Sequence, residues 1–416
     1  MEKCFDSKEI NLKNGIKLIS IKKNTRIACI NVGIKIGSLY ENKDEKGISH
    51  FIEHMLFKGT KTRNNEVLNN ELEQLGGEYN AYTDYTSTVY SIVALNEEIE
   101  NSMELLADMV QNSNFDSEEI EKERGVILAE IRTSNDDIED YSFKKINEIA
   151  FKNSPIKYDI VGEEKTVKSF SKEDLKKFYS KYYVPNNCYI TIVSPFEHEY
   201  IERVVNKYFD QWKRKEFKYN KFLVEKNKPI VKKSYKKEIE QSTITYLYTF
   251  YGLNKEQELV LKILDHRFGA SSNSILFREL REKRGLAYDV YTSLDLTKGI
   301  KTLYIYTAVC KKDINSAKKI IEKCITDIKN KVISLDGSAV ELMKKVLKTS
   351  VAATVEDSSE LCNYVLQQSM EDEDIYEFES DIKNLEKIKK EDIYDIAQKV
   401  FNDPTIHVLV CEGDEE

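Results

Sequence analysis

A nine-residue pattern near the middle of the chain returns near its end, and that repeat limits what the chain can fold into. Phe170-Ser171-Lys172-Glu173-Asp174-Leu175-Lys176-Lys177-Phe178 recurs as Ile388-Lys389-Lys390-Glu391-Asp392-Ile393-Tyr394-Asp395-Ile396. In the same register the alternation of Ile190 and Ile192 is matched by Val408 and Val410. Each half therefore closes with a similar helix and strand. A period near half of 416 residues is too long for a solenoid unit and suits two homologous domains. Length alone asks for the same division, because single cores stop growing at about 250–300 residues. The expected boundaries are residues 1–212 for the first domain, 213–237 for a linker and 238–416 for the second domain. The linker is lysine-rich around Pro229, which invites a nucleic-acid reading. Against it stands a formal net charge of −9, since phosphate binding asks for a net basic surface. A solvated connector, with no nucleic-acid partner, is the expectation. Glu371-Asp372-Glu373-Asp374 and the tail Glu412-Gly413-Asp414-Glu415-Glu416 are expected to be exposed acidic ends.

Two of only five histidines fall in Gly47-Ile48-Ser49-His50-Phe51-Ile52-Glu53-His54-Met55-Leu56-Phe57-Lys58-Gly59. On a helix, His50 and His54 project from one face, with Glu53 beside them. Two neutral imidazoles can hold a divalent ion, a third protein ligand completes the set, and an open position takes a water whose pKa the metal lowers. Glu53 is placed to act as the general base on that water.

A candidate third ligand lies in a second helix, Ser117-Glu118-Glu119-Ile120-Glu121-Lys122-Glu123-Arg124-Gly125-Val126-Ile127-Leu128-Ala129-Glu130-Ile131. Asp116 or Ser117 can cap its start, and apolar residues recur through Val126, Ile127 and Ile131. Glu123 and Glu130 share one face two turns apart, so either could reach the metal. Between the two helices, Gly76-Gly77 ends a helix that begins near Asn64, and the Tyr/Thr/Val-rich run after it reads as strand.

The order His-x-x-Glu-His is the inverzincin signature. With the wider run His50 to Thr60, the chain resembles the pitrilysin/insulinase family of zinc metallopeptidases, in its mitochondrial-processing-peptidase-like branch. The resemblance implies an α+β fold of two homologous domains, each a mainly antiparallel sheet with helices packed on one side, forming one half of the clamshell seen in long single-chain members. It implies one Zn2+ per chain held by His50, His54 and Glu130, with Glu123 orienting a ligand. Asn80 and Ala81 match a family Asn-Ala pair on a sheet edge that takes the substrate backbone. Thr86 stands where relatives often carry glutamate, so no substrate preference transfers. Arg281 and Tyr288 match a family pair that steadies substrate and oxyanion.

Only the first half carries the metal motif; the second holds His266 and His407, isolated from each other. Seven scattered cysteines without CxxC spacing suggest reduced thiols. The start of the chain, Met1 to Ile10, reads as neither signal peptide nor presequence, and no stretch approaches a membrane span. The expectation is a cytoplasmic zinc endopeptidase acting on extended peptides, with no membrane partner, working as a homodimer whose sites are completed in trans. The alternative is a non-proteolytic or partner-dependent subunit of a heteromeric processing peptidase. The ligand set suits manganese or cobalt as well as zinc.

Overall fold

The computed structural model describes residues 4–412; the first three residues and Gly413 to Glu416, most of the acidic tail, lie outside the described residues. The chain packs as two compact units.

The first unit is built on a six-stranded sheet, β1 (Asp6–Asn11), β2 (Lys17–Lys22), β3 (Ile27–Ile34), β4 (Glu78–Thr83), β5 (Thr88–Leu95) and β6 (Cys188–Ser194), in the order β1-β2-β6-β3-β5-β4. Every pairing is antiparallel except β2 with β6. One face packs on α1 (Ile48–Leu56), α2 (Asn65–Gln74), α3 (Ile99–Asn112) and α4 (Ser117–Asp136). Successive side chains of a strand point to opposite faces. Ala28, Ile30, Val32 and Ile34 accordingly join the core with Phe51, Met55 and Met103. The alternate residues Cys29, Asn31 and Gly33 face a helix from the other half of the sequence, Ser358–Met370. Asn31 Nδ2 donates to Asn363 Oδ1 at 2.6 Å. A Cβ on Gly33 would lie 3.0 Å from Met370 Sδ. The sheet is thus covered on both faces, and the expectation of helices on one side is corrected.

The second unit repeats the plan. Its strands β7 (Val231–Lys236), β8 (Ser242–Thr249), β9 (Ala287–Asp295), β10 (Thr302–Val309) and β11 (Thr405–Cys411) take the order β7-β11-β8-β10-β9. As β6 lies parallel to β2 and antiparallel to β3, so β11 lies parallel to β7 and antiparallel to β8. The repeated nine residues open the helices Lys172–Tyr182 and Lys390–Val400, where the third helical residue, Asp174 or Asp392, accepts from the backbone N–H of the N-cap residue. One face packs Ile244, Tyr246 and Tyr248 against helices of the second core. The other takes α5 (Ile138–Ala150), whose Ser142 Oγ and Asn147 Oδ1 lie 2.7 Å from Thr243 Oγ1 and Tyr304 Oη.

The contiguous division at 212 and 238 therefore does not describe the packed units. Of the described residues, the first comprises those up to 133, 158–222 and 351–377, and the second takes 134–157, 223–350 and those from 378 on. A matching element in each half makes the exchange. A 20-residue helix, α4 or Gly337–Glu356, is followed by one aspartate, Asp137 or Asp357, which caps the next helix by accepting from two backbone N–H groups. That next helix packs on the sheet of the other half.

The lysine-rich segment also differs from a free linker. Its lysines are exposed apart from the half-buried Lys236, but Phe217 and Tyr219 between them pack on the first core, and its end forms β7. Glu371 to Asp374 is a turn inside the chain rather than an end, tied to β3's neighbour Lys35 through a 3.1 Å ion pair with Asp372. Cys29, Cys188, Cys324 and Cys362 are buried thiols outside any disulfide. Among the described residues no helix is long and apolar enough to cross a membrane.

Candidate metal centre

Helix α1 exists because Ile48, Phe51, Ile52, Met55 and Leu56 make one buried stripe at helical spacing, which turns His50, Glu53 and His54 to the other face. Its start is built without a capping side chain of its own. Gly47 adopts φ 92°, with room only for glycine because a Cβ would lie 2.6 Å from the Val161 carbonyl oxygen. The first-turn N–H groups of Gly47 and Ser49 donate instead to the buried Glu41 carboxylate at 3.0 and 2.8 Å. Helix α4 is capped by Asp116, which accepts from Glu118 and Glu119 N–H. Its buried stripe is Ile120, Glu123, Ile127 and Ile131, and Val126, expected on that stripe, is exposed.

The two helices bring three ligand atoms together. Glu130 Oε2 lies 3.9 Å from His50 Nε2 and 3.7 Å from His54 Nε2, and the imidazole centroids are 4.6 Å apart. One atom from each residue falls within 4.8 Å of the others. Tetrahedral zinc with bonds of about 2.0–2.2 Å asks for ligand atoms roughly 3.3–3.6 Å apart, so the set fits with a small inward movement. Glu123, the other glutamate of the pair, touches the opposite nitrogen of the ring. Its Oε2 is 3.0 Å from His54 Nδ1, and its Oε1 is 2.8 Å from Lys58 Nζ. A carboxylate on Nδ1–H fixes the tautomer that leaves Nε2 free for a metal.

The electrostatics agree with a cation site. Burial, with His54 alongside, pushes His50 down to about 3, which keeps its imidazole neutral for coordination. For His54 burial pulls the same way, but the Glu123 hydrogen bond and the charges of Glu130 and Glu53 outweigh it and raise the pKa. Glu123 is buried, yet His54 and Lys58 hold its carboxyl below the usual range. Burial raises Glu53, the Glu130 charge adds to this, and a hydrogen bond from Thr83 with the nearby His54 opposes it. A carboxylate moved toward neutral pH in this way suits a general base.

Strand β4 is the open edge of the first sheet. Asp84 N–H donates to Ser87 O at the hairpin end, so by antiparallel alternation Ala81 and Thr83 turn their main-chain groups to the free edge. Ala81 N–H is met there by the side chain of Asn80, at 2.9 Å. Arg281 and Tyr288 lie in the second unit as neighbours of each other, the guanidinium 5.9 Å from the Tyr288 ring and 5.1 Å from that of Phe277. Tyr288, on edge strand β9, is 74% exposed.

Residues 17–164 match the model of the insulinase family of peptidases (family M16), and residues 169–337 match the M16 inactive domain. A Rickettsia felis protein described as an uncharacterized zinc protease is 33% identical over 413 residues, 97% of each chain. The chain belongs to the M16 peptidase family. A Rickettsia bellii protein of the same description is 32% identical over 96% of each chain. In fold, this M16 chain matches a protease from Helicobacter pylori with a TM-score of 0.91 at 20% identity, over 98% of this chain and 99% of that one. That the second match is to an inactive domain agrees with the absence of a metal motif from the second half.

Three residues of this M16 site escaped the sequence reading. Thr83 donates to Glu53 Oε2 at 2.6 Å, Lys58 pairs with Glu123, and Glu41 holds the start of α1. Lys58 had a usable signal, standing one helical turn beyond His54. Thr83 and Glu41 had none, because strand and loop residues carry no periodicity that points at a helix.

Proposed function

We propose that this M16 chain is a zinc-dependent endopeptidase that cleaves extended, unfolded peptides. The observation that carries this is the convergence of His50 Nε2, His54 Nε2 and Glu130 Oε2 beside a half-buried glutamate, Glu53, that is not among them. Bound zinc supplies Lewis acidity and lowers the pKa of a coordinated water toward 7. The chain's own residues do the rest. A peptide adds to β4 as a further strand, and its carbonyl takes the Ala81 N–H now held by Asn80 Oδ1. Glu53 takes the proton of the attacking water and passes it to the leaving amine. Main-chain pairing is indifferent to most side chains, which favours broad specificity for unstructured segments.

Purified protein should carry one zinc per chain and hydrolyse an unstructured peptide. Chelation should stop the cleavage and added zinc restore it. Zinc-loaded protein inert toward a panel of such peptides, or hydrolysis indifferent to the chelator, would overturn the reading.

In this reading Arg281 and Tyr288 reach the scissile carbonyl from a second copy of the chain, so that a homodimer completes each site in trans. Closed two-fold pairing is the commonest route for a soluble oligomer. Each of two variants, Glu53→Gln and Tyr288→Phe, should be inactive alone. Mixed under conditions of subunit exchange, they should regain activity in heterodimers that pair an intact Glu53 with an intact Tyr288. A mixture that stays inactive after demonstrated exchange argues against sites shared in trans.

A further inference from the structure

We propose that Thr83 is a positioning residue that couples docking of a peptide on β4 to the readiness of Glu53; the inference rests on the peptidase reading above. Three observations converge on it.

Thr83 has a single hydroxyl proton and two oxygens within reach. Glu53 Oε2 is at 2.6 Å, the range of a charge-assisted O–H···O⁻ bond, whereas Thr88 Oγ1 is at 3.4 Å. Thr88 spends its own proton on the Ile36 carbonyl, at 2.9 Å. The Thr83 proton is therefore committed to Glu53. That occupies Oε2, locks the carboxylate rotamer and leaves Oε1 as the oxygen able to receive a proton from water. The threonine proton stays on threonine throughout.

The hydroxyl is also held from behind. Asp84 Oδ1 accepts from the N–H groups of Thr86 and Ser87, each at 2.6 Å, which closes the β4–β5 hairpin directly after Thr83. The Ser38 and Leu39 N–H groups donate to the turn's carbonyls at 3.2 and 2.9 Å. Gly37 lies so close beneath that a Cβ there would be 2.3 Å from the Asp84 carbonyl oxygen. With χ1 restricted by β-branching, Thr83 has little freedom to point elsewhere.

Finally, Thr83 is one of the residues whose main chain faces the open edge. An added peptide strand meets its backbone while its side chain meets the base. Register on β4 and orientation of Glu53 are thus set by one residue.

The test uses the zinc-loaded full-length chain and an unstructured peptide. Thr83→Val keeps the shape and removes the proton; Thr83→Ser restores the proton. Thr83→Val should lower kcat about ten- to a hundred-fold, the usual scale for losing a partner that orients a functional group. KM and the zinc affinity measured by chelator competition should change less than about threefold, and Thr83→Ser should recover most of kcat. Wild-type kcat in Thr83→Val would overturn the coupling while leaving the peptidase reading intact. So would equal losses in the valine and serine variants, or a parallel loss of zinc affinity, either of which marks a purely structural role. A wild-type chain that carries zinc but cleaves no peptide would overturn the peptidase reading itself, and this inference with it.

Discussion

Glu53→Gln should leave the zinc content of the protein close to one per chain while lowering peptide hydrolysis by roughly 10²–10⁴-fold, the range that a general base contributes. The two readouts separate because Glu53 stands apart from the three converging ligand atoms. Glutamine keeps the shape of the side chain, and its carbonyl oxygen can still accept from the Thr83 hydroxyl, so the geometry at the end of β4 should survive. What it cannot do is take a proton. Metal analysis and initial rates on the same preparation decide the matter. A variant that loses its zinc assigns Glu53 to the ligand set instead, and one that retains substantial activity removes it from the chemistry.

The second large effect concerns the two glutamates of α4. Glu130→Gln should release most of the metal, because an amide oxygen is a poor substitute for the carboxylate that lies close to both Nε2 atoms, at 3.9 and 3.7 Å. Glu123→Gln should behave differently. Its amide oxygen can still accept from His54 Nδ1–H, but the Lys58 ammonium then loses the negative charge it pairs with at 2.8 Å. Metal affinity or activity should fall about ten- to a hundred-fold, as for other partners that orient a ligand, rather than vanish. Zinc titration of both variants against a competing chelator gives the ranking. Equal losses in the two would leave neither glutamate distinguished as ligand.

The same two residues mark how far sequence reasoning reached. Periodicity placed Glu123 and Glu130 on one face of a helix, and family resemblance favoured Glu130 as ligand. Two turns of helix separate them by roughly 10.5 Å along the axis. Which carboxylate meets Nε2 and which meets Nδ1 depends on where α4 crosses α1, a tertiary fact. The Asn80-Ala81 pair shows a similar limit. Strand composition revealed β4, but only sheet order made it an edge, and only the side-chain geometry showed Asn80 covering the edge donor of Ala81.

By itself the sequence determined the elements whose causes are local. The apolar stripe of α1 dictates that His50, Glu53 and His54 share a face. The repeated Glu-Asp helix starts and their strands dictate two domains of one plan, and Asn64 with Gly76-Gly77 brackets the helix before β4. Tertiary structure decided what depends on surfaces far apart in the chain. The helix after Asp137 packs on the second sheet and the helix after Asp357 on the first, although each follows an element of the opposite half. Helical periodicity says only that a face must be buried; it does not say against which of two similar sheets. The Thr83 hydroxyl on Glu53 belongs to the same class. A hydrogen bond between a strand residue and a helix residue thirty positions apart exists only because the packed sheet carries one to the other.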